Sequence, residues 1–115
     1  MKGFGDQIKS KKNKLSSKDR ISTKEKIVKQ ALKYHSEGNI IEAAKSYRSF
    51  IDKGYSNFIV FSNYGIILKD LGKLEEAYLL IRKAIEIKPT FVEAHYNLAI
   101  ILERLGRLNE SEISY

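Results

Sequence analysis

Two histidines, no cysteine and two asparagines set 34 residues apart, Asn63 and Asn97, are the side chains of this 115-residue chain with the most chemistry to offer. A carboxamide donates and accepts, so a pair pointing the same way can bind peptide groups of a ligand whatever its side chains. The histidines promise less. His35 and His95 have no partner at i,i+4 to put two imidazoles on one helical face, so no zinc-type site is expected; they read as a rim residue and a packing residue. Glu75-Glu76 and Glu110/Glu112 stand at the starts of helical patterns, where negative charge complements the helix dipole. Gly3-Phe4-Gly5 follows no strand and lacks a third glycine at the right distance, so it is not a nucleotide loop. The missing cysteines remove disulfides, thiolate ligands and a thiol nucleophile, and nothing assembles a nucleophile, base and oxyanion donors. No enzymatic activity, cofactor or metal is expected.

The elements that would position these residues repeat. Gly38, Gly72 and Gly106 stand 34 residues apart, followed by Asn-Ile-Ile-Glu-Ala, Lys-Leu-Glu-Glu-Ala and Arg-Leu-Asn-Glu-Ser. A fixed period of that length signals stacked like units rather than one closed core. Ser22–Glu25, Asn39–Glu42 and Thr90–Glu93 each place a side-chain acceptor three residues before a glutamate, the capping box that opens a helix. Apolar residues then recur at helical spacing, as in Ala43, Tyr47 and Phe50 or Ala77, Ile81 and Ala84. The pattern predicts an all-α fold with helices over 24–37, 40–53, 58–71, 74–87, 91–105 and 108–115. Each of the three glycines is expected in the turn between two helices, and Pro89 to close the fourth.

The net charge of +7 is uneven. Residues 1–23 hold seven lysines and arginines against Asp6 and Asp19, a net +5, whereas 24–115 is nearly balanced at +2. With one aromatic, Phe4, and few aliphatics, 1–23 is expected to be a flexible basic leader. It serves either as a solvated segment or as an electrostatic contact for an acidic surface. Lysine dominates and no aromatics are interleaved for base stacking, so nucleic-acid reading is poorly supported. No apolar run suits a signal peptide or a membrane span, and a cytoplasmic location is expected.

Phe61, Gly65, Leu68, Gly72, Ala77, Ile81, Ala84 and Pro89 fall in the order of the tetratricopeptide repeat, a helix-turn-helix family that the chain resembles over about 24–115. His95, Ala99, Leu102, Gly106, Ser111 and Tyr115 match one period later; Ile27, Ala31, Tyr34, Gly38, Ala43 and Tyr47 match one period earlier. The resemblance implies an α-solenoid with repeats at 24–57 and 58–91 and an incomplete third at 92–115. Small residues at Ala31, Gly65 and Ala99 would let paired helices approach closely. Gly54-Tyr55 replaces the proline turn, so the first repeat is expected to end irregularly.

In this family the first helices line a concave groove. The resemblance therefore implies a peptide-binding surface of Val28, Leu32, Ser62, Asn63, Ile66, Lys69, Tyr96, Asn97, Ile100 and Arg104. Asn63 and Asn97 are similar to the start of the asparagine ladder in O-linked N-acetylglucosamine transferases, or are a residue type common at that place of the repeat. Repeats that bind acidic chaperone tails use a clamp of cations and asparagines; the corresponding positions here hold Val28, Leu32, Asn63, Glu93 and Asn97, which argues against carboxylate capture. The implied function is a protein- or peptide-binding scaffold. One alternative is an acceptor-presenting array ahead of a bacterial glycosyltransferase-, sulfotransferase- or methyltransferase-like domain; another is a basic nucleic-acid accessory protein. Apolar residues near the C-terminus, including Ile101, Leu105 and Leu108, also suggest self-association through uncapped helices.

Overall fold

In the computed structural model residues 23–109 are described with their side chains and 110–114 by backbone alone. Five helices and no strand occur among the described residues: α1 (23–36), α2 (Ile40–Asp52), α3 (Phe58–Asp70), α4 (Leu74–Ile87) and α5 (Val92–Ser114). The basic segment 1–22 and the Ser22 capping position lie outside the described residues.

Three helix ends are built alike. Gly38, Gly54 and Gly72 take φ of 78°, 82° and 82°, a conformation open to glycine at no steric cost. After α1, the Asn39 N–H donates to Tyr34 O at 2.8 Å and the Gly38 N–H to His35 O at 3.1 Å; after α3, Lys73 and Gly72 repeat the pattern on Leu68 and Lys69. These paired bonds cover carbonyls that a helix end would otherwise leave open. Gly54 makes the same reversal outside the 34-residue series, which is how the first hairpin ends without a proline. Lys88, extended at φ −133°, ends α4 before Pro89 as expected.

The starts differ from the sequence pattern. Asn39 precedes α2 but its side chain makes no capping bond. Asn57 caps instead, its Oδ1 accepting from the N–H groups of Ile59 at 2.8 Å and Val60 at 3.1 Å.

Two apolar clusters hold the helices together. Ala31 of α1, Ala43, Tyr47 and Phe50 of α2, and Val60 and Ile67 of α3 form one. Phe61 and Leu68 of α3, Ala77, Ile81 and Ala84 of α4, and Ala94 and Ile101 of α5 form the other. Helix α3 belongs to both, so it binds the first hairpin to the rest. At Gly65 α4 packs directly on α3: a Cβ there would stand 2.7 Å from Ile81 Cδ1. At the Cys-free, glycine-marked third turn the expectation fails. Gly106 lies inside α5, and one 23-residue helix replaces the expected pair at 91–105 and 108–115. Glycine permits a reversal but does not impose one; the reversal is stabilised by the helix that packs back. Gly106 does not take the positive φ of Gly38, Gly54 and Gly72, and the helical ladder continues through it.

Candidate functional site

The ten residues expected to line the groove all fall on α1, α3 and α5, but burial divides them. Tyr96 and Arg104 are exposed, and Val28, Leu32, Asn63, Ile66 and Ile100 are half-buried. Ser62, Lys69 and Asn97 are buried, which corrects their assignment to an open lining. Packing between successive repeats covers these positions, an effect that spacing along one helix does not reveal. The Ser62 hydroxyl is buried without a hydrogen-bond partner.

The two asparagines work inside the chain. Lys69 Nζ donates to Asn97 Oδ1 at 2.8 Å, and Asn97 Nδ2 donates to Glu93 O at 2.9 Å. With Asn97 only 5% exposed and bonded at both ends, its amide is not free to meet a ligand backbone. One period earlier, Asn63 Nδ2 donates to the Tyr47 hydroxyl at 3.1 Å, and that oxygen lies 2.9 Å from His35 Nδ1. The His35 and Tyr47 rings meet edge-on at 5.7 Å. Burial pushes the Tyr47 phenol above its ordinary pKa, with the Asn63 bond pulling it back in part. His35 is thus tied to the second helix rather than free on a rim. The second histidine, His95, is exposed and shares a hydrogen bond with the carbonyl of Pro89.

Apolar surface also lies among α2, α3 and α4, where sequence reasoning did not place a site. A crevice of about 330 Å³ is lined by Ile40, Ile41, Ala44, Tyr64, Ile67 and Leu71, and a neighbouring one includes Arg48, Leu79 and Lys83. The doublets Ile40-Ile41 and Leu79-Leu80 were the available signal, since adjacent aliphatics on a helix cannot both face one core. Among the described residues no group of three His, Asp or Glu side chains is placed to hold a metal, and no helix is long and apolar enough to cross a membrane.

A family profile for the TPR repeat matches residues 65–106, from the close-packed Gly65 to Gly106. Protein STIP1 homolog of Dictyostelium discoideum is 33% identical over 92 residues. The chain belongs to the tetratricopeptide repeat family. The match takes in 74% of this chain but 16% of that protein, so this chain spans about a sixth of the length of the relative. Membership in the TPR family supports a protein-interaction scaffold in general terms, and the residues matched by the profile run from α3 through α4 into α5.

Proposed function

We propose that this TPR array is a non-catalytic scaffold that binds a protein or peptide along the first-helix face, with Val28, Leu32, Ile66, Tyr96 and Ile100 as an apolar floor and Asn63 and Arg104 as polar contacts. The observation that carries the proposal is Tyr96. An aromatic side chain left 67% exposed, one turn from half-buried Ile100, offers the kind of anchor on which interfaces concentrate their energy. The aliphatic floor favours a ligand that presents apolar side chains. Val28, Leu32 and Glu93 stand where chaperone-tail repeats carry their clamp, so the ligand is not selected by a terminal carboxylate.

Peptides selected from a random display library on the folded chain provide the test. Tyr96→Ala should weaken the selected peptides by about 1–3 kcal/mol, roughly a 5- to 150-fold rise in Kd. Leu79→Asp, on the second-helix side, should leave the affinity unchanged. The reverse pattern would move the site to the crevices among α2, α3 and α4.

A further inference from the structure

His35 of α1, Tyr47 of α2 and Asn63 of α3 form a chain of hydrogen bonds across three helices. Asn63 Nδ2 donates to the Tyr47 oxygen at 3.1 Å, and that oxygen lies 2.9 Å from His35 Nδ1. A phenol has one proton to give. With the Asn63 N–H on one lone pair of the oxygen, the link to an uncharged imidazole is complete when that proton points at Nδ1, which puts the ring's own proton on Nε2. The chain then runs one way, from amide to hydroxyl to ring. Burial raises the Tyr47 pKa, so the hydroxyl keeps its proton throughout the range in which imidazoles titrate, about pH 5 to 8.

A protonated ring donates from both nitrogens, and its Nδ1–H would meet the Tyr47 oxygen already bonded by Asn63. Two donors would then converge on that oxygen and leave the hydroxyl proton without an acceptor. Turning the Asn63 amide end for end removes the conflict: the ring donates to the hydroxyl, and the hydroxyl donates to Oδ1. Both directions make two bonds, so reversal sacrifices no pairing. Asn63 is half-buried, and its Oδ1 takes no bond among the described residues, so the amide has room and no second tie to break. Asn97, at the same place one period later, is held at both ends.

We propose that protonation of His35, relayed through the Tyr47 hydroxyl, sets which end of the Asn63 amide faces the groove. With the ring uncharged Asn63 offers Oδ1, an acceptor for a peptide N–H; with the ring protonated it offers Nδ2, a donor to a peptide carbonyl. His35 and Tyr47 are positioning residues, and the consequence for peptides rests on the first-helix face being the binding surface. The charges nearby are engaged elsewhere. On α2, Lys45 pairs with Glu42 and Arg48 with Asp52, all exposed. On α3, Lys69 is bound to Asn97 with Asp70 beside it, and the titratable phenol of Tyr64 faces Tyr47 with ring centres 6.5 Å apart. On α1 itself, exposed Lys33 and Glu37 stand two residues from His35, which turns them to other sides of the helix. No carboxylate of the described residues pairs with His35.

The relay is tested first without a ligand, by NMR of the 115-residue chain at about pH 8 and about pH 5. His35→Gln distinguishes the His35 ring signals from those of His95, and circular dichroism checks folding at each pH. At the higher pH the ring nitrogen shifts should place the proton on Nε2, and the Asn63 amino protons should show an Overhauser effect to the Tyr47 ring. Acidification should remove most of that effect. In His35→Gln, which keeps an acceptor but takes up no proton, it should persist at both values. An effect that survives acidification in the native chain, or a proton on Nδ1 at the higher pH, would overturn the proposal. The second arm uses end-capped peptides free of Asp, Glu and His, selected by display on the folded chain at the higher pH. Their Kd should rise about five- to tenfold on acidification with the native chain and by less than about twofold with His35→Gln. Reversal of the amide with no change in Kd would uphold the relay and remove Asn63 from the binding surface, which separates a failure of the groove from a failure of the relay.

Discussion

Where α1 and α2 meet α3, a tyrosine hydroxyl joins a histidine to an asparagine; where α3 and α4 meet α5, a lysine reaches the asparagine unaided. The residues correspond one for one. His35, Tyr47 and Asn63 become Lys69, Ile81 and Asn97 one period of 34 later. Ile81 has no hydroxyl to offer, and its side chain instead fills the space over Gly65. The longer Lys69 spans the distance that Tyr47 bridges at the first junction. The repeat therefore preserves where a polar link crosses between units while changing the chemistry of the link. The two solutions differ in cost. The first junction links a ring nitrogen, a hydroxyl and an amide, whereas the second holds an ammonium in a side chain only 11% exposed.

The sharpest break in this comparison is expected at the second junction. Asn97→Ala removes the acceptor 2.8 Å from Lys69 Nζ and leaves Asp70, 3.7 Å away and mostly exposed, as the nearest opposite charge. The expected loss is about 2–3 kcal/mol of unfolding free energy, because a buried charged donor loses its partner. Lys69→Met combined with Asn97→Leu removes both ends and should recover most of that loss. Denaturant melts of the single and double variants check this; a double variant as unstable as Asn97→Ala would show that packing, not the ammonium, sets the cost.

The first junction should be more tolerant and should carry a signature in pH. Tyr47→Phe deletes the oxygen that serves both Asn63 and His35 and should cost about 1–2 kcal/mol. Burial raises the Tyr47 pKa in the folded chain above its unfolded value. The folded state thus holds the phenolic proton more tightly, and this contribution is complete below about pH 10 and is lost as pH rises through the raised value. Thermal melts should show the native chain losing stability more steeply than Tyr47→Phe on the alkaline side of about pH 10. Parallel curves would remove Tyr47 from the account.

Much of the fold was legible because its signals are local or periodic. Glycines that end helices, proline that closes one, and the buried series Ala43, Tyr47, Phe50 and Ala77, Ile81, Ala84 depend on neighbours within a few residues. Gly106 shows the limit of that legibility. Its flanks match those of Gly72, but whether the chain turns depends on packing by the helix that would follow, and α5 continues straight. The site was less legible for a related reason. Period and helix face placed Asn63 and Asn97 together with Val28 and Ile66, yet burial of Asn97 is decided across the chain, by Lys69 reaching over from α3. Ala99 errs in the opposite direction: its small side chain suits a close helix contact, and no helix of the described chain supplies one. Self-interaction of polar groups and the presence or absence of a covering helix are properties of pairs of elements, which a pattern read along one element does not contain.

The smallest effect is expected from Asn63, and it completes the contrast with Asn97. Asn63 is half-buried, and its amide nitrogen donates to a neutral hydroxyl at 3.1 Å rather than accepting from an ammonium. Asn63→Ala leaves the Tyr47 oxygen still within 2.9 Å of His35 Nδ1, so no buried polar atom is stranded. Water can reach a half-buried site and replace part of the lost bond. The cost should therefore be about 0.5–1 kcal/mol, well below that of Asn97→Ala although the two residues occupy the same place in successive repeats. Melts of both variants under one set of conditions test the ranking directly. Equal losses would mean that the position itself, and not burial or the charge on its partner, determines what the asparagine contributes; the two junctions would then be energetically alike despite their different chemistry.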